Sequence, residues 1–298
     1  MLMINPLDLR LQTEAYLSRS LGAPVSLLDA RQLAKSTRAA PWKLDLLWEG
    51  KPRALVLRLS AQAEDLEHEF QALEAMRLTP IPAPRPYGWD PDGAALGLPC
   101  FLSDFIEGES LLQPVLSGES WAIQLYLESV IALQSLRPDQ LGAAPAAMLA
   151  GETALDVLEN AYDGCQPFLD PLLEQIYRRL KQAAPRLPDL RFSNGDLWLD
   201  NFLARDRRLA GVIDFENAGF SDPIFEFLLS FFVRPGLRAF GIEQQYCQRM
   251  GFDPALLPWY HGLELFDTLA WVLERGQPFE QYTPERLRSE IQDWLGDH

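Results

Sequence analysis

Three oxygen-bearing side chains, Asp196, Asn201 and Asp214, fall within nineteen residues of this 298-residue chain. The first two lie in Phe192-Ser193-Asn194-Gly195-Asp196-Leu197-Trp198-Leu199-Asp200-Asn201-Phe202-Leu203; the third follows the apolar run Leu209 to Ile213. Those residue types at that spacing suit phosphoryl transfer from a metal-bound nucleoside triphosphate. One carboxylate takes or orients the acceptor hydroxyl proton, while an amide oxygen and a second carboxylate hold the Mg²⁺ that bridges the phosphates. Taken alone, Asn194-Gly195-Asp196 is a turn signal. Asp214 is harder to read that way: a carboxylate at the end of an apolar run, flanked by Phe215, suits a bound cation better than a solvated surface. Asp200 reads as a capping or supporting group.

The elements that must position these groups follow from the patterning. Leu7 to Leu21 has helical spacing and stops at Gly22. Val25 to Ala30, Trp42 to Trp48 and Ala54 to Leu59 read as strands, the last two joined by a hairpin through Glu49-Gly50-Lys51-Pro52. Ala61 to Met76 reads as an acidic amphipathic helix. The proline-rich stretch Pro80 to Pro86 must be extended, with strands at Pro86 to Trp89 and Pro99 to Ile106. After Gly108 helices dominate: Trp121 to Leu136, Ala154 to Tyr162, Pro167 to Ala183, Pro223 to Val233, Ile242 to Met250, Leu256 to Arg275 and Pro284 to Leu295. The class is α+β: an antiparallel sheet lobe over residues 1–106 and a mainly helical lobe over 107–298.

Composition narrows the partners. A net charge of −16 opposes binding to nucleic acid or to an anionic membrane surface and is compatible with a cationic small substrate. Cys100, Cys165 and Cys247 have no CxxC spacing and read as buried thiols, and the three histidines form no HExxH zinc site. With no signal-peptide core and no apolar run of membrane length, a cytoplasmic protein is expected. A hydrolase is disfavoured by the lack of a G-x-S-x-G elbow, and a P-loop is absent.

Asn194-Gly195-Asp196-x-x-x-x-Asn201 with Ile213-Asp214-Phe215 and Ala218-Gly219-Phe220-Ser221-Asp222-Pro223 resembles the aminoglycoside phosphotransferase-like family, which includes choline kinases. The resemblance implies the two-lobed protein-kinase-like fold, ATP or GTP as donor, Asp196 as catalytic base, and Asn201 and Asp214 as Mg²⁺ ligands. It puts Arg58 in the place of the phosphate-binding lysine, where a guanidinium still pairs with phosphate. Glu69 becomes its ion-pair partner, with Glu67 and Glu74 as rivals. Pro99 to Gly108 looks like the strand into the hinge, where backbone groups near Asp104 to Ile106 would meet the adenine.

The chain departs from the pattern in places. No Gly-x-Gly-x-x-Gly loop precedes Trp42; Lys35-Ser36-Thr37-Arg38 stands there, and the Ser36 and Thr37 hydroxyls could contact a phosphate. Asn194 replaces the usual His, a change an amide can absorb by hydrogen bonding, and Glu226 replaces an Asp. These departures keep open a catalytically silent nucleotide-binding regulator beside the phosphotransferase. For the acceptor, Glu264, Asp267, Thr268, Trp271 and Glu274 form one helical stripe. It reads either as the helix's solvated face or as an acidic wall with an aromatic platform for a cationic amino sugar or amino alcohol. Glu216 is a second acidic candidate for that substrate.

Overall fold

The computed structural model of the chain describes residues 6–33, 41–142, 146–168 and 170–297. Its first elements are α1 (Pro6–Leu21), β1 (Val25–Gln32), β2 (Trp42–Trp48), β3 (Lys51–Leu59), α2 (Glu64–Met76), β4 (Pro86–Asp90) and β5 (Cys100–Asp104). Next come β6 (Glu109–Ser110), α3 (Leu112–Leu116), α4 (Ser120–Gln134), α5 (Ala146–Ala150), α6 (Ala154–Cys165) and α7 (Pro171–Gln182). The remainder is β7 (Arg191–Ser193), β8 (Phe202–Arg205), β9 (Arg208–Val212), β10 (Gly219–Ser221), α8 (Pro223–Val233), α9 (Ile242–Met250), α10 (Leu257–Arg275) and α11 (Pro284–Asp297). The chain divides into two compact units. The first takes Met1–Glu109, Pro138–Met148 and Leu203–Ala218, and the second Ser110–Arg137, Leu149–Phe202 and Gly219–His298.

In the first unit a five-stranded sheet runs in the order β1-β2-β3-β5-β4, with every pair antiparallel. Trp48 pairs with Lys51, so Glu49 and Gly50 alone close the β2–β3 hairpin, both with positive φ (51° and 75°). That turn matches the natural twist of the two strands, and glycine takes its second position without strain. Asp206 and Arg207, also left-handed, separate β8 from β9 in the same way. Along β3 the pleat alternates: Leu55 and Leu57 are buried in a cluster with Leu27, Leu44 and Leu102, while Val56 and Arg58 are directed to the opposite face. Helix α2 buries Leu66, Glu69, Leu73 and Met76, an i, i+3, i+7, i+10 stripe that carries one carboxylate among apolar neighbours.

The second unit is built around α10, a nineteen-residue helix with buried residues on most of its circumference. It packs against α6, α7, α8 and α11. Pro258 stands in its first turn and Gly276, left-handed at φ 67°, ends it. Helix α8 begins at Asp222, whose Oδ1 accepts from the N–H groups of Ile224 and Phe225 at 3.0 and 3.1 Å, with Pro223 at the first helical position. Tyr260 of α10 donates its hydroxyl to Asp222 Oδ2 at 2.8 Å, which ties the cap to the central helix. None of the described helices is long and apolar enough to cross a membrane.

Candidate active site

The first unit gathers one group of the expected residues. Arg58 Nη2 donates to Glu69 Oε1 at 2.9 Å and lies 3.8 Å from Asp214 Oδ1. Both members of the closer pair are nearly enclosed, with side-chain exposures of 14% and 6%. Burial pushes the Glu69 carboxyl up to about 7; Arg58 opposes the rise, and the negative charges of Asp214 and Glu216 add to it. Of the three acids weighed for this role, only Glu69 lies on the buried stripe of α2. Glu67 accepts from Gln71, and Glu74 pairs with Arg77 at the surface. The stripe itself was the sequence signal that singles out Glu69. Asp214 lies two residues beyond the end of β9 with φ 62°, a left-handed conformation uncommon outside glycine but more accessible to Asp than to most side chains.

These residues border a cavity of about 260 Å³ whose wall also includes Val56, Asp104, Ile106 and Leu203. Asp104 is committed on several sides: Tyr87 donates to its Oδ1 at 3.0 Å, and its N–H donates to Arg85 O. The N–H of Phe105 donates to Ala54 O at 3.3 Å. Ser36 and Thr37 lie outside the described residues. Glu216 belongs to this unit, where its charge acts on Glu69.

The second unit holds Asp196 and Asn201 in one tightly bonded loop. Gly195 has φ 80°, a conformation glycine adopts freely, and its N–H donates to Ser193 Oγ at 3.0 Å. The side-chain amides of Asn194 and Asn201 both donate to the backbone carbonyl of Asp196, at 2.9 and 3.0 Å. Asn194 is fully buried, so its role in this loop is that of a fastener. Because the Asn201 Nδ2 is used this way, its Oδ1, a hard oxygen donor of the kind Mg²⁺ takes, is directed elsewhere. The Leu197 carbonyl accepts from two hydroxyls, Tyr126 of α4 at 2.7 Å and Ser230 of α8 at 3.1 Å. Asp200 is exposed and accepts from Ser110 Oγ and Trp198 Nε1, a supporting position.

Beside that loop lies an acidic recess of about 160 Å³, lined by Gly195, Glu226, Glu264, Asp267, Trp271 and Phe279 among others. The stripe of α10 therefore turns inward over most of its length. Glu264 is 2% exposed and Thr268 7% exposed, whereas Glu274 remains in solvent. Glu264 Oε1 is buried without a hydrogen-bond partner. Burial, reinforced by Asp267, raises the Glu264 carboxyl well above its ordinary range. Burial likewise pushes Glu226 up to about 7, with the Asp196 charge adding to it, and Asp267 up to about 6, with Glu152 adding to it.

From sequence, Glu226 reads only as one acid in place of another, but it lines the recess, and Ser193 Oγ donates to its Oε2 at 3.4 Å. An available signal was its position as the lone charge in Ile224-Phe225-Glu226-Phe227-Leu228-Leu229. Phe279, also unforeseen, stands edge to face with Trp271 at 5.5 Å between ring centroids.

The model of the phosphotransferase enzyme family (APH) matches residues 46–287. Among solved structures, a protein of Ralstonia eutropha JMP134 assigned as an aminoglycoside phosphotransferase is similar at 17% identity. The match covers 95% of this chain and 94% of that one, with a TM-score of 0.71. A thermostable mutant of aminoglycoside phosphotransferase APH(4)-Ia, in ternary complex with ADP and hygromycin B, is similar at 19% identity, with 96% and 98% coverage and a TM-score of 0.66. A macrolide 2′-phosphotransferase of Brachybacterium faecium is similar at 15% identity, with 98% and 99% coverage and a TM-score of 0.63.

Proposed function

Because this chain belongs to the phosphotransferase enzyme family and is a small-molecule kinase of the protein-kinase-like fold, we propose that it moves the γ-phosphate of ATP to a hydroxyl of a small cationic acceptor. The observation that carries this reading is the Asp196 loop: its backbone is fixed by two amides, and Gly195 forms part of the wall of an acidic recess. Asp196 takes or orients the acceptor hydroxyl proton, so that the oxygen attacks the phosphorus in line. Arg58, steadied by Glu69, pairs with phosphate oxygens, and the Ile106 end of the hinge segment meets the adenine. ATP is favoured as donor by the similarity to a structure that binds ADP, with GTP as the alternative.

Asn201 and Asp214 would hold Mg²⁺, and their donor set fits it: one amide oxygen and one carboxylate, the hard oxygens this ion takes together with phosphates. When bound, Mg²⁺ would neutralise charge on the transferring phosphate. Glu264, Asp267 and Trp271 receive the acceptor, an amino sugar or amino alcohol, and Glu216 acts with the Arg58 group in the first unit. Three buried, unbridged cysteines support a cytoplasmic setting, and the net charge of −16 disfavours nucleic acid and membrane as partners.

The test is a product screen with Mg·ATP and Mg·GTP across amino sugars, amino alcohols and their neutral counterparts, run with the wild type and with Asp196→Ala. Loss of the base should lower kcat by about a thousandfold while nucleotide affinity stays within about twofold. Equal turnover by the variant would refute the role of Asp196. Tight nucleotide binding with no transfer by the wild type to any acceptor would favour the regulator reading.

A further inference from the structure

Helix α2 meets the rest of the first unit through two neighbouring residues. Glu69 turns inward to Arg58 of β3. His68, half-buried beside it, reaches a different segment: its Nε2 lies 2.7 Å from the carbonyl oxygen of Ala218, 150 residues along the chain. A carbonyl oxygen only accepts, so Nε2 carries a proton and donates it. Ala218 is buried and closes a turn, since its N–H donates to Phe215 O at 3.1 Å. Asp214 stands directly before that turn with its left-handed φ of 62°. Such a backbone persists in a non-glycine residue only where its surroundings hold it. Phe215, wholly buried, anchors the near end of the turn, and His68 holds the far end.

These links close a circuit inside the first unit. Arg58 bonds to Glu69, the adjoining His68 bonds to Ala218, and the turn leads back to Asp214, whose carboxylate lies 3.8 Å from Arg58. We propose that His68 is a positioning residue for the metal and phosphate groups of this site: its ring N–H ties the turn after Asp214 to α2 and so sets the Asp214 carboxylate against Arg58. The inference rests on the reading of Asp214 as a Mg²⁺ ligand and goes beyond it, because His68 does not line the cavity that Arg58 and Asp214 border.

A consequence separates this role from general support of the fold. Without the His68 donor, Glu69 still holds Arg58, and only the turn after Asp214 is released. Mg²⁺ demands near-ideal ligand geometry, so a displaced carboxylate weakens the hold on a metal-bound nucleotide. A nucleotide without metal is met by Arg58 and loses little. A residue that merely supported the fold would lower both affinities alike.

The experiment compares the full chain with His68→Phe and His68→Gln. Phenylalanine keeps a ring of similar size and removes the donor, whereas glutamine returns an N–H at similar reach. Calorimetry measures the affinity for the ATP analogue AMP-PNP with Mg²⁺ and, separately, in EDTA. His68→Phe should weaken Mg·AMP-PNP about tenfold, the factor of one net hydrogen bond, and leave AMP-PNP in EDTA within about twofold. His68→Gln should lie within about threefold of the wild type in both. Hydrogen exchange should quicken in His68→Phe over residues 215–218, at the Ala218 amide above all. Thermal melts establish that both variants are folded. In the wild type, ¹⁵N NMR of the histidine rings at about pH 8 should find Nε2 of His68 protonated.

The proposal is overturned if His68→Phe binds Mg·AMP-PNP as the wild type does, if it loses affinity equally with and without Mg²⁺, or if glutamine restores nothing. A wild-type ring with its proton on Nδ1 and a bare Nε2 overturns it without any variant, which keeps the test decisive should His68→Phe not fold. Failure of the function is a separate outcome. A wild type that binds no nucleotide sinks the kinase reading, and the ring proton and the exchange of residues 215–218 still decide whether His68 holds the turn. Transfer from ATP at unchanged Mg²⁺ dependence in His68→Phe sinks the positioning role alone.

Discussion

The two units bury carboxylates under opposite conditions. In the first, Glu69 lies in the apolar stripe of α2, but Arg58 meets it at 2.9 Å and carries a permanent positive charge. In the second, Glu226, Glu264 and Asp267 converge on one recess, and the nearby Arg238 is already engaged by Glu243. Both arrangements raise carboxyl pKa values by desolvation, so the direction of a shift does not tell them apart. The partner does. A buried acid with a cation supplied by the fold is an internal fixture, here one that holds Arg58 in place. A set without one has only its own protons to neutralise it.

The largest effect is expected at the acid paired within the fold. Glu69→Ala should destabilise the chain by about 3 kcal/mol, because it strips Arg58 of its closest counter-charge in a mostly enclosed position. Denaturant unfolding measures the loss. A cost below about 0.5 kcal/mol would mean that Asp214, at 3.8 Å, compensates Arg58 fully, and the contrast between the units would weaken.

The set without a cation should respond to pH in the ligand-free chain. Its carboxyls have higher pKa values folded than unfolded, so the stability they contribute is complete below about pH 4. It is lost as pH rises through about 6 for Asp267 and about 7 for Glu226. Glu226→Gln should therefore flatten the fall in stability between pH 5 and 8 by on the order of 2 kcal/mol. A variant with the wild-type slope would show that Glu226 titrates as it does in the unfolded chain. Glu69→Gln acts in the same pH window, since its carboxyl lies at about 7, so the two variants measured side by side weigh the paired acid against the unpaired one.

The smallest effect concerns the loop that borders the recess. Gly195→Ala should cost about 1 kcal/mol, the penalty for a side chain in the left-handed conformation that φ 80° demands. A fall in kcat with little change in nucleotide KM would accompany it if the strain displaces Asp196. Unchanged stability would show that the turn relaxes at no cost.

Much of the fold was legible because its signals are local. Helices at Pro223–Val233 and Ile242–Met250 and the strand Trp42–Trp48 have the limits that apolar periodicity, proline and glycine set for them. The three-residue strands Arg191–Ser193 and Gly219–Ser221 were not legible. Each is too short to show a period, and they pair with one another across more than twenty residues. The grouping of residues 203–218 with the N-terminal sheet is equally hidden, since it follows from packing and not from chain order.

At the candidate site, residue types and spacing pointed to Asp196, Asn201 and Asp214, but burial decides the meaning of the acids around them. The α10 stripe suited a solvated face as well as an inner wall, and only the packing of α6, α7, α8 and α11 around α10 turns Glu264 inward. Glu226 offered one clue, a single charge in an apolar helix, and its significance depends on Gly195 and Asp267, far from it in sequence.

The Leu197 carbonyl, held by the hydroxyls of Tyr126 and Ser230, has a kinetic meaning as well. A loop clamped from two helices has already surrendered its conformational freedom when the chain folds, so none of that ordering is repeated at each turnover. Its amides should exchange with solvent on the timescale of global unfolding and not of local opening, and the arrival of an acceptor should leave their protection almost unchanged. Assembly of this loop would then not be the step that limits turnover in this protein.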